Sequence, residues 1–403
     1  MRKISKLVNG SEFVYKKAEN APRVALCYNL SLENPEKSEG IYMIMTQLFT
    51  QGTKNRSAEQ IAKELDLYAI EFSADLKPDY VRFRFTCLEE DFDKALEISS
   101  DILKNTTFED FDKEIAKTKG EITAKLDSPR LNITDKFYST MFENHHYGHT
   151  SSKVLKNLDN LKKEDIIEAW SEIKKTSKKV CSYVGSQDFE SVKGKLDHAL
   201  KDFEPSNISN VKFNPPHLSD KKTVEIIKED ANQAHILKGW ITESYNSADY
   251  PALLLLNVIL GSSGLSSRLF LELREKKGLA YVVRSVYESN LLCGDFYIYI
   301  ATEPKNIEVS LNGFEAEIQK IISIPPSSDE LENAKNNLFG KWAFSEETTT
   351  NQAIILAHYG IMGLGFNFKD VLREKIKEVT PRDINSCAKK YFESDSVTAI
   401  LKP

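Results

Sequence analysis

Apolar and polar positions along the chain fall into short runs of two periods, one near two and one near 3.6. In the first half, "VALCYNLSL" predicts a strand that leads into a helix through "EGIYMIMTQLFTQGT". A second helix follows in "SAEQIAKEL", where Ser57 and Gln60 stand at the spacing of a capping box. The alternating "VRFRF", residues 81–85, predicts a strand with one apolar and one wet face. An acidic turn, "LEEDFDKALEISSDIL", opens the next amphipathic helix. The second half repeats this order: "AHILKGWI", then "DYPALLLLNVIL", a glycine turn, "SSRLFLELREKKG", "GDFYIYIAT" and "NIEVSLNGFEAEIQKII". The closing elements match as well. "NLKKEDIIEAW" and "VTPRDINSCAKKYF" are both capped helices, followed by the strands "VCSYVGS" and "SVTAILKP".

Strand and helix periods mixed within each half predict an α+β fold, with a mostly antiparallel sheet packed against helices. The repeated order predicts two homologous domains, at residues 1–205 and 218–403. Polar turn-formers and prolines gather in "FEPSNISNVKFNPPH", which places a linker at 206–217. A length of 403 residues suits two cores of that size.

Composition narrows the partners. Hydrophobic residues make up 41% and charged residues 28%, with a net charge of −6, so no nucleic acid and no anionic membrane is called for. Five cysteines stand singly, without a C-x-x-C pair, which fits reduced thiols in a cytosol. The opening "MRKISKLVNGSEFVYKK" has no apolar stretch of signal length, and the run "YPALLLLNVIL" is too short to span a bilayer. The expected location is the cytoplasm. No G-x-S-x-G elbow, P-loop or Cys–His signature is present.

The stretch "GSSGLSSRLFLELREKKGLAYVV", residues 261–283, places Arg274 and Tyr281 seven residues apart, across a helix end and Gly278. Read from the residues alone, Arg274 is a helix-terminal cation and Tyr281 an amphipathic residue at the start of a strand. "GSSG" either lets a peptide backbone approach closely or forms an ordinary turn. His145, His146 and His149 form the single histidine cluster and read as an incidental surface loop. His235 and His358 read as structural histidines, the first half-buried beside a strand and the second on an apolar helix.

The stretch from Ser266 to Tyr281, supported by "QGTKNRSAEQIAKEL" and "LEEDFDKALEISSDIL", resembles the insulinase (pitrilysin) family of zinc peptidases. Its two-domain bacterial members and the subunits of the mitochondrial processing peptidase are the nearest comparison. The resemblance covers nearly the whole chain. It implies zinc on a helix of one lobe, held by an inverted H-x-x-E-H motif and a distant glutamate. It implies an arginine and a tyrosine in the other lobe, at the places of Arg274 and Tyr281, binding the scissile carbonyl and its oxyanion.

At the five motif positions this chain reads Met43-Ile44-Met45-Thr46-Gln47. An ungapped count puts Thr123 where the distant glutamate belongs, with Glu121 two residues earlier. A thioether, a hydroxyl and an amide do not supply the imidazole and carboxylate donors that zinc takes. Near Tyr68 and Ala69 a paired glycine of the family, ahead of its substrate-binding edge strand, is replaced. The expectation is a chain that binds no metal itself and acts as the zinc-less subunit of a heterodimeric peptidase. A homologous subunit with an intact H-x-x-E-H motif would carry the zinc, and peptides would be the substrates. The rival reading is a structural or peptide-holding relative without catalysis. A weaker third is an enzyme that uses the histidine loop.

Overall fold

Long runs of β-branched and aromatic residues, interrupted by amphipathic helices, build two sheets in the computed structural model, which describes residues 2–19, 21–203 and 213–403. Residues 206–212 of the expected linker lie outside the described residues, and 213–217 carry no regular structure. The first sheet is formed by β1 (Arg2–Lys6), β2 (Glu12–Lys17), β3 (Arg23–Ser31), β4 (Glu71–Leu76), β5 (Tyr80–Leu88) and β6 (Lys179–Gly185). The second contains β7 (Lys222–Ile227), β8 (Ala234–Thr242), β9 (Ala280–Ser289), β10 (Gly294–Thr302) and β11 (Ser396–Lys402).

The strand orders are β1-β2-β6-β3-β5-β4 and β7-β11-β8-β10-β9. Apart from the added β1, the pairings repeat in kind. β2 runs parallel to β6 as β7 does to β11, and every other pairing is antiparallel. The expected duplication of an α+β unit is therefore present strand for strand. In "VRFRF", Val81, Phe83 and Phe85 are buried while Arg82 and Arg84 are half-buried, as alternation requires.

The helices follow the same duplication. The first seven are α1 (Ile41–Leu48), α2 (Ala58–Leu67), α3 (Phe92–Asn105), α4 (Phe111–Asp127), α5 (Pro129–Met141), α6 (Ser151–Asn157) and α7 (Lys163–Ile173), with α8 (Phe189–Leu200) after β6. The rest are α9 (Tyr250–Asn257), α10 (Ile307–Ser323), α11 (Ser328–Ser345), α12 (Thr349–Ile361), α13 (Phe368–Glu378) and α14 (Pro381–Phe392). Two π-helical stretches, Val258–Ser262 and Phe270–Lys276, fill the place between α9 and β9. The capping box of α2 forms as its sequence predicts: Gln60 N–H donates to Ser57 Oγ, and Ser57 N–H to Gln60 Oε1. Thr380 and Asp383 do the same for α14.

By contacts the chain divides into two compact units, one of the described residues in 1–120, 154–212 and 344–368, the other of those in 121–153, 213–343 and 369–403. Each unit takes its sheet from one half of the chain and one long helix from the other half. In the first, α12 lies on β3 and β6, where Ser182 Oγ donates to the Ala353 carbonyl at 2.7 Å. In the second, α5 lies on β8 and β11, and its Ile133, Phe137 and Met141 join a core with Leu237, Tyr297 and Val397. α5 and α12 hold equivalent places in the duplicated order, so the exchange is reciprocal. Among the described residues no helix is long and apolar enough to cross a membrane. All five cysteines are buried, and none is joined in a disulfide.

Candidate functional site

Gly278 sets the geometry between Arg274 and Tyr281. It sits at φ +62°, the left-handed conformation that ends a helix cheaply only in glycine. Its N–H donates to the Arg274 carbonyl at 3.0 Å, and Leu279 N–H to the Leu273 carbonyl at 2.9 Å. The π-helical stretch thus ends at Lys276, three residues separate it from β9 at Ala280, and the reversal brings the two side chains together. Arg274 Nη1 donates to the backbone carbonyl of Tyr281 at 2.7 Å. The guanidinium carbon stands 4.7 Å from the ring centroid of Tyr281 and 4.7 Å from that of Phe270.

Arg274 is therefore sandwiched between two aromatic faces, each such contact contributing about 0.5–1 kcal/mol at an exposed site. Stacking occupies the faces of the guanidinium and leaves its in-plane N–H groups directed outward. Nε and Nη2 meet no acceptor among the described residues, and Tyr281 is 77% exposed. Phe270, the second wall of the sandwich, carries no signal in sequence beyond its i−4 spacing to Arg274.

These side chains border an open groove of about 600 Å³ along the edge strand β9, with Asn257, Leu265 and Glu288 also on its walls. Its floor explains the first glycine of "GSSG". A Cβ on Gly261 would stand 2.1 Å from Ser285 N, so glycine is required for the π-helical stretch to reach β9. Ser285 Oγ then donates to Asn257 Oδ1 at 2.7 Å. The close approach serves the protein's own backbone, and Gly264, at φ +77°, makes the turn. Arg268 of the same stretch is structural: it forks onto Glu330 through Nε and Nη2, both at 2.7 Å.

In the other unit the helix at the zinc-motif positions is core. Ile44, Met45 and Leu48 are fully buried, whereas Met43, Thr46 and Gln47 lie half-buried on one face. Thr46 Oγ1 donates to the Met43 carbonyl at 2.8 Å, and Gln47 Oε1 accepts from Thr118 Oγ1 at 2.9 Å. Thr118 lies on α4, and Thr123 and Glu121 are exposed further along that helix. None of Met43, Thr46, Gln47 or Thr118 offers an imidazole, thiolate or carboxylate, so the residues present do not fit zinc.

The histidines divide as their surroundings dictate. The rings of His145 and His146 lie 4.2 Å apart between centroids, tilted by 35°, and burial, more than the neighbouring histidines, pushes His146 down to about 3. Both rings are half-buried, which makes the loop less superficial than its sequence suggests. Among the described residues no group of three His, Cys, Asp or Glu side chains is placed to hold a metal ion. His358 on α12 is bonded through Nδ1 to Tyr80 at 3.0 Å, and burial pushes it down to about 4. His235 pairs with Tyr299 at 2.8 Å.

Two family models match this arrangement half by half. Residues 16–153 match "Insulinase (Peptidase family M16)", and residues 160–338 match "Peptidase M16 inactive domain". The chain belongs to peptidase family M16. Residues 43–47 on α1 fall within the first match, and Arg274 with Tyr281 within the second. Among M16 relatives, an "Uncharacterized zinc protease" of Rickettsia bellii is 26% identical, over 99% of this chain and 97% of that protein. The "Non-peptidase homolog YmxG" of Helicobacter pylori is 22% identical, over 89% and 83%. The crystal structure of a peptidase M16 inactive domain from Pseudomonas fluorescens superposes with a TM-score of 0.90 at 17% identity, covering 100% of this chain and 98% of that one.

Proposed function

We propose that this chain is the zinc-less subunit of a heterodimeric M16 peptidase, paired with a homologue that keeps an intact H-x-x-E-H helix. The observation that carries the reading is the contrast between a motif helix absorbed into core and an Arg274–Tyr281 pair held together at the rim of an open groove. The partner supplies the metal chemistry. This chain binds and orients the peptide. The free in-plane N–H groups of Arg274 hold a peptide carbonyl, and the Tyr281 hydroxyl donates to the oxygen as negative charge develops on it. An oxyanion donor of that kind contributes about 2.7–4 kcal/mol where it has been removed by mutation.

The test is to purify the chain with whatever homologue accompanies it and assay peptide hydrolysis by the pair, with zinc counted in the same sample. Tyr281→Phe should lower kcat about a hundredfold or more while KM and stability change little. Unchanged kcat in a hydrolytically active pair sinks the reading.

One observation favours the rival, a peptide-holding scaffold: Arg274 Nη1 is already engaged by the Tyr281 carbonyl. The name of the Helicobacter pylori relative, a non-peptidase homolog, points the same way for that protein. A chain that purifies only with itself, without hydrolysis or zinc, supports the scaffold.

A further inference from the structure

A second group of arginines lies on the α5-covered face of the five-stranded sheet. Arg284 of β9 stands directly opposite Tyr299 of β10 in the antiparallel register, and its guanidinium carbon is 5.9 Å from the Tyr299 ring centroid. Arg130, in the first turn of α5, approaches the same ring to 5.5 Å. His235 of β8 holds the Tyr299 hydroxyl at 2.8 Å.

Two arginines with carboxylate partners make the contrast. Arg56 meets Glu64, Glu97 and Asp101, and Arg268 forks onto Glu330. Arg130 and Arg284 pair with no carboxylate among the described residues, and neither guanidinium donates a hydrogen bond to the protein. Arg284 Nε is moreover buried without an acceptor. The acids along this face, Glu288 and Asp295, lie further down the strands opposite one another and pair with neither arginine.

Stacking on a tyrosine face offsets part of the hydration that a guanidinium loses but uses none of its in-plane donors. Two uncompensated cations sharing one ring repel each other, and the first turn of α5, whose cap residue Ser128 makes no side-chain hydrogen bond, adds positive potential. An anion docked on either guanidinium sits in the field of the other. We infer that Arg130 and Arg284, stacked on Tyr299, form a binding site for a small oxyanion, a carboxylate or a phosphate group. The planar fork of arginine fits either group through two parallel N–H donors.

Inorganic phosphate and acetate, titrated separately into the full-length chain at ionic strength held constant with chloride, test this by calorimetry and by the His235 C2–H proton resonance. Saturable binding of either anion is expected, with a shift at His235. Arg284→Gln and Arg130→Gln should each weaken it on the order of tenfold. Arg284→Lys, which keeps the charge and loses the fork, should weaken it by less and guards against a folding defect in the glutamine variant. Saturation by acetate alone assigns a carboxylate source, such as an acidic side chain or a chain terminus. Saturation by phosphate alone assigns a phosphate source. A linear response to both anions, or affinities unchanged in both glutamine variants, overturns the site.

Discussion

Two segments occupy the same place in the duplicated order: β3-α1-α2-β4 in one unit, and β8-α9 with its π-helical stretches and β9 in the other. Both run from an inner strand through two helical pieces to a strand at the sheet edge. In the first, Thr46 Oγ1 bonds to its own helix and Gln47 Oε1 to Thr118, so both side chains are engaged within the protein. Ile44, Met45 and Leu48 of its first helix are packed away completely. In the second, Tyr281 stays largely in solvent, and Arg274 keeps donors that the fold does not use. The side chains at the motif positions of the first segment serve its own packing. A site that keeps exposed donors and an open groove holds side chains whose presence stability does not require.

The largest effect expected from this contrast is at Met45, which is fully buried on α1. Met45→Ala should cost about 2–5 kcal/mol in urea unfolding, as large-to-small core changes do. Tyr281→Ala, at an exposed position, should cost at most about 1 kcal/mol, the contribution of its stacking on Arg274. A small loss at Met45 would mean that α1 has not become core. A loss at Tyr281 comparable with that at Met45 would mean that the pair is structural after all.

A second effect sharpens the comparison, because the unit that keeps Arg274 also keeps a buried carboxylate. Asp295 on β10 is buried with Tyr138 of α5 donating to it at 3.1 Å. Burial first, and Glu288 second, push its carboxyl up to about 8 from an ordinary 3.8. Between those two values the folded chain holds a proton that the unfolded chain has released. Stability from this group is therefore complete below pH 4 and is lost as pH rises through 8. Each pH unit inside that window removes at most about 1.4 kcal/mol, so about 2–3 kcal/mol should vanish between pH 6 and pH 8. Urea unfolding across that range should show the decline in the native chain and a flatter profile in Asp295→Asn. A native profile as flat as the variant's would place the proton elsewhere.

Much of this was legible in the residues. The capping box at Ser57, the alternation of "VRFRF" and the repeated order of elements are local patterns, and each fixes a local structure. Arg274 and Tyr281 meet because a helix end, a glycine and a strand start lie within seven residues of one another. The exchange of α5 and α12 left no such mark. Periodicity shows that Phe137 faces a core, but not that the core belongs to the sheet of the other half. The same limit hides the partner of Gln47, whose Oε1 accepts from Thr118 of α4, a contact made by helix packing. Arg130 and Arg284 are far apart in the sequence, on α5 and β9, and only the packing of both on Tyr299 brings them to one ring.

The smallest effect divides the two segments most directly. α2 ends in a Schellman turn: Ala69 N–H donates to the Asp66 carbonyl at 3.1 Å, and Ile70 N–H to the Leu65 carbonyl at 2.8 Å. The left-handed residue of that turn is Ala69, at φ +47°, just ahead of the edge strand β4. Gly278 holds the matching place ahead of β9 at φ +62°, with open space where a Cβ would point. A Cβ in this conformation costs about 1–2 kcal/mol, and glycine gives back about 0.4–1 kcal/mol through the greater freedom of its unfolded chain. Ala69→Gly should therefore stabilise by up to about 1 kcal/mol, and Gly278→Ala should destabilise by about the same amount. Thermal unfolding of the two variants, compared at one pH, reads both signs. If Ala69→Gly destabilises instead, the methyl group at Ala69 contributes packing that outweighs its strain, and the first segment has been refitted at its turn as well as along its helix. If Gly278→Ala is neutral, the turn that joins Arg274 to Tyr281 tolerates a side chain, and glycine there is not what holds the pair in register.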